Sequence, residues 1–188
     1  MTAARNQIID TTCTLLELQG YHATGLNEIL RESGTPKGSL YYYFPGGKEE
    51  LVIEALSRAG DIVLQRIKEH LATTPDVTEA MRAFICNIAV HVESSGYQAG
   101  GPITTVAMEV AARQDRLRVE CHRIYENWRQ AFRDRLVEGG IDRDRSERLS
   151  SFILASIEGG ILLCRTYRSP KPLSDMAAEI AVLLTAAR

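Results

Sequence analysis

An unbroken run of four aromatic residues, Tyr41 to Phe44, carries the most specific chemistry in a chain whose aromatic content is only 6%. A phenolic hydroxyl can donate a hydrogen bond to a phosphate oxygen while its ring packs on a sugar or a thymine methyl group. Just before the run, Lys37 and Ser39 supply further donors, and Gly38 permits close approach of another group to the backbone. These residues predict a DNA-contacting surface. The alternative is that the aromatic residues fill the core and boundary of a small helical bundle.

The aromatic run lies in a segment that predicts a helix-turn-helix. Leu26–Ser33 is expected to form a short helix with Thr24 as its N-cap and Gly34 just past its end. The next helix is expected to start at Thr35 and Pro36 and to run to about Tyr43, before the break at residues 45–47. The apolar residues spaced to face inward are Leu26, Ile29, Leu30, Leu40 and Phe44.

No other set of side chains has the spacing of a catalytic or metal site. The four cysteines lie far apart without a Cys-x-x-Cys pair, which gives zinc no ligand spacing and favours a reducing, cytoplasmic location. None of the four histidines has a glutamate three residues before it, as a helical di-metal site requires. Cys121 and His122 are sequence neighbours that point in different directions on a helix. We therefore expect no enzyme activity, cofactor or metal, and no membrane partner, since the apolar run 152–164 is too short for a bilayer.

Length and composition predict a soluble globular protein, and the spacing of its apolar residues predicts that it is all-α. The chain has 188 residues, 45% of them apolar and 24% charged, and its 22 basic and 24 acidic side chains give a net charge of −2. Apolar residues recur at helical spacing almost throughout, which predicts about nine helices. Outside the helix-turn-helix, these are expected at about 8–20, 48–70, 77–94, 103–113, 114–138, 143–167 and 173–187. The fifth should be capped by an Asp76–Glu79 box, and the eighth by Asp142 or an Asp144–Glu147 box.

Residues 20–29, 33–44 and 48–51 together closely resemble the N-terminal signature of TetR/AcrR-family transcriptional repressors. The resemblance implies a DNA-binding domain at residues 1–48 and an effector-binding and dimerisation domain at 49–188. It also implies phosphate contacts from Thr24, Tyr42, Tyr43 and Lys48, and contacts to base edges or the adjacent backbone from Thr35, Lys37, Ser39 and Tyr41, with Gly38 among them. The basic N-terminal arm of the family is reduced here to Arg5, and residues 17–19 stand where the family often has an aromatic residue, so arm contacts are not expected.

Two later segments, 100–109 and 158–165, resemble the LmrA/YxaF-like branch of that family, which is associated with drug-like or flavonoid-like effectors. An effector cavity needs apolar lining with a few polar anchors. The candidate lining residues are Ile88, Val92, Tyr97, Ile103, Ala107, Met108, Trp128 and Phe132. The alternative is that the stripe containing Trp128 and Phe132 is plain core. Glu109 and Glu158 lie in apolar stretches, where pairing with an arginine of a neighbouring helix is expected over contact with a ligand.

Small residues inside the eighth helix predict close packing, because an interior glycine costs about 1 kcal/mol relative to alanine. The proposed four-helix dimer interface consists of Ser156, Gly159, Gly160, Met176, Ile180, Leu183 and Leu184. The alternative is that these glycines fit against a helix of the same chain. The resulting prediction is a cytoplasmic homodimeric repressor that binds a palindromic double-stranded DNA operator and is released by a small apolar or aromatic effector. The competing hypotheses are a helical adaptor that binds protein through its tyrosines and a small helical enzyme.

Overall fold

The computed structural model describes residues 3–98 and 100–187, and these residues form nine α-helices without a β-strand. The predicted all-α architecture is therefore confirmed. The helices are α1 (Ala3–Ala23), α2 (Leu26–Ser33), α3 (Lys37–Tyr43), α4 (Gly47–Leu71), α5 (Val77–Ser94), α6 (Pro102–Val110), α7 (Asp115–Glu138), α8 (Arg143–Tyr167) and α9 (Lys171–Thr185).

Several helix ends lie where local sequence chemistry predicts them. Gly34 follows α2 in the left-handed conformation with φ 62°, which few residues other than glycine adopt readily. The Asp76 carboxylate accepts the Glu79 backbone N–H at 2.9 Å at the start of α5. Asp142 caps α8 in the same way through the N–H of Arg145, at 3.0 Å. The Asp142 alternative for α8 is thus correct, and α2 and α8 have the predicted bounds.

Other predicted helix ends are wrong. The N-cap residues of α2 and α3 are Gly25 and Pro36, and neither makes a side-chain capping bond. The Thr24 hydroxyl instead donates to the Gly20 carbonyl at 2.7 Å, and the Thr35 hydroxyl pairs with that of Ser33 at 2.7 Å. Helix α6 ends before the predicted residue 113, and α9 covers 171–185 in place of 173–187. Threonine side chains have local acceptors that compete with a capping role.

The chain divides into two compact units. The first comprises residues 1–62 and 101–124, and in it α1 packs against α2, α3 and α6. Its interior contains Leu16, Ile29, Leu40 and Phe44, all with no exposed surface. A hydrogen bond from Cys13 Sγ to the carbonyl oxygen at 55, 3.2 Å long, joins α1 to α4. This unit carries the predicted helix-turn-helix.

The second unit comprises residues 63–100 and 125–188, and its helices α5, α8 and α9 pack against one another. Its interior includes Met81, Ile85, Ile153 and Ile180, each at most 1% exposed. By length and hydropathy alone, α8 also passes a test for membrane-spanning helices, as core helices of soluble proteins do. Its inward residues pack within this unit.

Candidate nucleic-acid interface

The helix-turn-helix is held together by a small apolar core. Ile29 of α2, Leu40 of α3 and Phe44 after α3 have no exposed surface, while Leu26 and Leu30 are half-buried. All five were predicted to face inward from their spacing alone. This packing fixes the direction in which α3 presents its remaining side chains.

Helix α3 turns two tyrosines to solvent. Tyr42 is 78% exposed and Tyr41 49% exposed, whereas Tyr43 is half-buried and meets the Tyr42 ring edge-on with ring centroids 5.0 Å apart. Only Phe44 of the four aromatic residues belongs to the core. The alternative of a core aromatic cluster therefore holds for Phe44 and fails for Tyr41 and Tyr42.

The other predicted contact residues of α3 share the same accessible surface. Lys37 and Gly38 are exposed and Ser39 is half-buried. In the described part of the chain the Lys37 ammonium has no ion-pair partner. A Cβ added to Gly38 would meet no atom within 4 Å. Thr35, at the turn before α3, is half-buried and hydrogen-bonded to Ser33.

Nearby cations are bound by acidic residues. Arg31 of α2 pairs with Glu32 at 2.8 Å and lies 3.8 Å from Glu28. Arg5 forms an ion pair with Glu54 and stacks over the Phe44 ring, 5.4 Å from its centroid. These contacts join α1 to α4 and to the end of α3.

A kink in α1 forms a junction that the sequence did not predict. Gly20 has φ 78° and ψ −174°, a conformation that residues with a side chain rarely adopt, and it interrupts the helix where a stop was expected. We call the backbone of Gly20, Tyr21 and His22 the kink junction. Its free backbone groups are bound by side chains from three different places in the chain, namely Thr24, Lys48 of α4 and Glu109 of α6.

The three bonds of the kink junction are short. The Gly20 carbonyl accepts the buried Thr24 hydroxyl at 2.7 Å. The Tyr21 carbonyl accepts the Lys48 ammonium at 2.6 Å, and that ammonium also lies 4.1 Å from the Tyr21 ring centroid. The His22 N–H donates to Glu109 Oε2 at 2.8 Å. Burial lowers the pKa of Lys48, and the nearby Glu109 carboxylate opposes that effect by favouring the charged ammonium.

Glu109 was expected to pair with an arginine, and the acceptor role for a backbone N–H is a correction. Its partner lies 87 positions away in the chain, so no local pattern could have revealed the contact. The converse contact exists at the other end of α6, where Glu17 of α1 accepts the Gly101 N–H at 3.0 Å. Helices α1 and α6 are therefore joined by a carboxylate-to-backbone bond near each end of α6.

The candidate effector residues differ in burial. In the second unit Val92, Trp128 and Phe132 are buried, and the Phe132 ring packs 5.8 Å from that of Phe84. Ile88 and Tyr97 of the same unit are half-buried, and Tyr97 adopts a left-handed φ of 63°. In the first unit Ile103 is buried, Ala107 is half-buried and Met108 is 76% exposed. Met108 is therefore a surface residue, and its assignment as a cavity-lining residue is corrected.

The proposed dimer residues also separate into two groups. Gly160, Ile180 and Leu184 are buried within the protomer, which corrects their assignment to an interface. A Cβ on Gly160 would lie 2.6 Å from Met176 Cε and 2.7 Å from Leu173 Cδ2, so this glycine lets α8 approach α9 of the same chain. The expected alternative, packing within one chain, is correct for Gly160.

The remaining residues lie closer to the surface. Gly159 is exposed and its Cβ direction meets no atom within 4 Å, while Ser156, Met176 and Leu183 are half-buried. Sequence reasoning missed the large apolar residues that α8 and α9 expose, which are Phe152, Leu162, Leu163, Tyr167 and Val182. Their helical spacing along α8 was the signal that could have identified them.

No cluster of three or more potential metal ligands occurs among residues 3–98 and 100–187. All four cysteines are free, and burial raises the pKa of Cys13 and of Cys121 to about 11. These thiols are protonated at neutral pH and suit a structural role.

Comparison with known proteins gives consistent matches over the whole chain. Residues 8–55 match the family model for bacterial regulatory proteins of the tetR family, and residues 77–179 match that for the C-terminal domain of LmrA/YxaF-like transcriptional regulators. The HTH-type regulator YxaF of Bacillus subtilis is 40% identical over 96% of this chain and 95% of its own. The HTH-type regulator LmrA of the same organism is 36% identical over 96% of both chains.

Solved structures show the same fold. A regulatory protein TetR from Rhodobacter sphaeroides superposes with a TM-score of 0.85 at 20% identity, covering 96% of this chain and 98% of its own. A TetR transcriptional regulator from Chloroflexus aurantiacus superposes with a TM-score of 0.83 at 25% identity, covering 97% and 94%.

Proposed function

Because the chain belongs to the TetR family of transcriptional regulators, in its LmrA/YxaF-like branch, we propose that it represses transcription as a homodimer bound to a palindromic operator. A small apolar or aromatic effector releases the DNA. The protein is a regulator and not an enzyme. It works in the cytoplasm, where the operator and a reducing environment for its free thiols are found.

The observation that carries the DNA-binding proposal is the division of the aromatic run. Phe44 anchors α3 in the core while Tyr42 and Tyr41 extend into solvent. Exposure of a tyrosine ring to water is unfavourable because the ring is apolar, and contact with DNA would remove that ring from water. The contact set that we propose is Thr35, Lys37, Gly38, Ser39, Tyr41, Tyr42 and Tyr43. The phosphate contact expected of Thr24 is corrected, because Thr24 has no exposed surface and its hydroxyl donates to the Gly20 carbonyl. Lys48 is left out because its ammonium donates to the Tyr21 carbonyl.

The dimer proposal rests on α8 and α9. Phe152, Leu162 and Leu163 form an exposed apolar stripe along α8, and Val182 of α9 is 65% exposed. Gly159 lies in this stripe, and nothing in the protomer offsets the helix propensity that it loses. A second copy related by a two-fold axis would cover the stripe and use the close approach that Gly159 permits. The same arrangement provides two α3 helices for a palindromic site.

The effector proposal rests on the aromatic side chains of α7. Trp128 is 5% exposed, it meets Tyr125 edge-on at 5.5 Å, and it is the one tryptophan of the sequence. Its fluorescence therefore reports on binding nearby. A planar, uncharged flavonoid titrated into the protein is expected to quench Trp128 and to weaken the operator complex over the same concentration range. Quenching without any change in operator affinity would contradict the coupling.

The DNA-binding proposal is tested by selection of duplexes from random-sequence DNA with the purified protein, followed by quantitative binding of the enriched duplex. We expect a palindromic consensus and loss of binding in Tyr42→Ala. Lys37→Ala should weaken binding and reduce its salt dependence, while Lys68→Ala, an exposed lysine of α4, serves as the matched control. Failure to enrich any sequence would contradict the proposal. Enrichment that survives Tyr42→Ala and Lys37→Ala would contradict the contact set.

A further inference from the structure

The kink junction contains a lysine whose charge is used inside the protein. Lys48 lies in the first turn of α4 and is half-buried. Its ammonium donates to the Tyr21 carbonyl at 2.6 Å and lies over the Tyr21 ring at 4.1 Å. One of the three N–H donors of the ammonium is therefore used inside the protein, and the half-buried head group offers less of its charge to solvent than an exposed lysine does.

Glu109 brings a carboxylate to the kink junction. It reaches from α6 and accepts the His22 N–H at 2.8 Å, and its carboxylate favours the charged form of Lys48. It also occupies the space beside Gly20, where an added Cβ would lie 2.0 Å from Glu109 Oε1. The kink therefore requires glycine for its backbone conformation, and a side chain at this position would also displace the Glu109 carboxylate.

The kink junction sits immediately before the helix-turn-helix. Thr24 closes it on one side, and α2 begins two residues later at Leu26. Three hydrogen bonds hold the backbone at 20–22, and that backbone acts together with the apolar packing of α1 on α2 and α3 in setting the orientation of these helices. Two of the three come from side chains of opposite charge on α4 and α6.

We propose that Lys48 and Glu109 are positioning residues that hold the helix-turn-helix in its DNA-binding orientation, and that Lys48 makes no phosphate contact. The inference rests on the proposed operator binding and changes the role that the family resemblance implies for Lys48. Glu109 links α6, and Lys48 links α4, to the backbone that precedes the operator-binding helices.

Salt dependence distinguishes a positioning lysine from a phosphate ligand. Each phosphate contact contributes about 0.9 to the slope of log K against log salt concentration, so losing one contact in each protomer of a dimer reduces the slope by about 2. We expect Lys48→Met, which keeps the aliphatic stem, to bind the selected duplex about tenfold more weakly with an unchanged slope. Lys37→Met, on the exposed surface of α3, calibrates the slope change of a lysine that faces DNA.

Glu109→Gln gives a second test, because the two possible roles of Glu109 predict opposite changes in DNA affinity. If Glu109 affected DNA only through its negative charge, neutralising it would strengthen binding. As a positioning residue it keeps an oxygen acceptor for His22 but loses the charge that balances Lys48, so binding should weaken by about three- to tenfold. Glu138→Gln, an exposed carboxylate at the end of α7, is the matched control for removal of one negative charge.

The outcomes separate this inference from the proposed function. If the wild-type protein enriches no sequence, the proposed function fails. If the wild-type protein does enrich a sequence, two results for Lys48→Met overturn the inference. One is a slope of log K against log salt concentration that is smaller than that of wild type by about 2, and the other is an affinity equal to that of wild type. A Glu109→Gln variant that binds as tightly as wild type or more tightly also overturns the inference. Circular dichroism and thermal unfolding check that each variant folds, and if Lys48→Met does not fold, the Glu109→Gln result decides.

Discussion

Gly38 is a helical glycine with no structural reason inside the protein. It lies in the first turn of α3, its Cβ direction meets no atom within 4 Å, and its backbone φ is not in the left-handed region. A glycine inside a helix costs up to about 1 kcal/mol relative to alanine. Under the proposed operator binding, close approach of DNA to the α3 backbone is the reason for glycine at this position.

Gly38→Ala should therefore change folding stability and DNA affinity in opposite directions. We expect the free energy of unfolding to rise by about 0.5–1 kcal/mol, since alanine restricts the unfolded chain and favours the helix. We expect affinity for the selected duplex to fall. Thermal unfolding and DNA titration of the same preparation measure both quantities. An affinity equal to that of wild type would show that DNA does not come close to the backbone at this position.

Two thiols, the half-buried Cys13 and the buried Cys121, give the protein a defined response to alkaline pH. Cys13 and Cys121 both have a pKa raised from 9.0 to about 11, mainly by burial and secondarily by Asp10 and Glu120 respectively. A thiol whose pKa is higher in the folded state stabilises the fold fully below its unfolded pKa, and this contribution is lost as the pH rises through the folded pKa. The window for both thiols is thus pH 9 to 11.

Thermal unfolding between pH 8 and 11 tests whether stability falls as these thiols lose their protons. The melting temperature of the wild-type protein should fall more steeply above pH 9 than that of the double variant Cys13→Ala, Cys121→Ala, because the variant lacks both titrating groups. Parallel curves for the two proteins would show that these thiols titrate normally. Native alkylation at pH 8 should leave both thiols unmodified.

At the scale of the helices, apolar periodicity together with the Gly34 and Asp142 caps predicted the bounds of α2 and α8, because these signals are local, whereas the predicted Thr24 cap of α2 was wrong. At the kink junction, local signals do not identify a partner that is distant in the sequence. The Gly20 stop was visible in the sequence, but its partner Glu109 is brought there only by the packing of α6 on α1. The same limit applies to Gly160, whose neighbours Leu173 and Met176 come from a different helix. Periodicity predicted a special packing role without identifying the partner helix.

The neighbouring glycines of α8 should respond differently to the same substitution. Gly160→Ala places a methyl group against Leu173 and Met176 and should destabilise the protomer by about 1–2 kcal/mol in chemical denaturation, after allowing for the gain in helix propensity. Gly159→Ala is the matched control, because its methyl group meets nothing in the protomer. Any stability that Gly159→Ala loses should accompany a weaker dimer in sedimentation. Equal losses in both variants without a change in dimerisation would contradict this assignment.

For the whole molecule, the charge balance limits how DNA can be bound. The net charge is −2, and cations near α3 such as Arg31 are already paired with acidic side chains. Non-specific attraction to DNA should consequently be weak. Affinity is then expected to come from specific contacts that each protomer of the proposed dimer makes. The surface proposed for that dimer lies on the second unit, where Leu162 of α8 is 56% exposed.

Leu162→Glu should convert the protein into a monomer with unchanged helical content. A charge buried in an apolar interface without a partner costs several kcal/mol, which exceeds what an interface of this kind tolerates. Operator affinity should fall with the loss of the second α3. Val90→Glu, which alters a 62% exposed valine of α5, is the control and should remain dimeric. Sedimentation equilibrium measures both variants, and a dimeric Leu162→Glu protein would disprove the proposed interface.

The most direct test of the account is hydroxyl-radical footprinting of the wild-type protein on the duplex that it selects. Two copies of α3 with exposed Tyr41 and Tyr42 predict two protected patches related by a dyad, with centres separated by about 34–36 Å, one turn of DNA, or a multiple of it. Both patches should disappear together in Tyr42→Ala. A single patch, two patches without dyad symmetry, or protection that Tyr42→Ala leaves intact would contradict the central claim that α3 reads DNA as a symmetric pair.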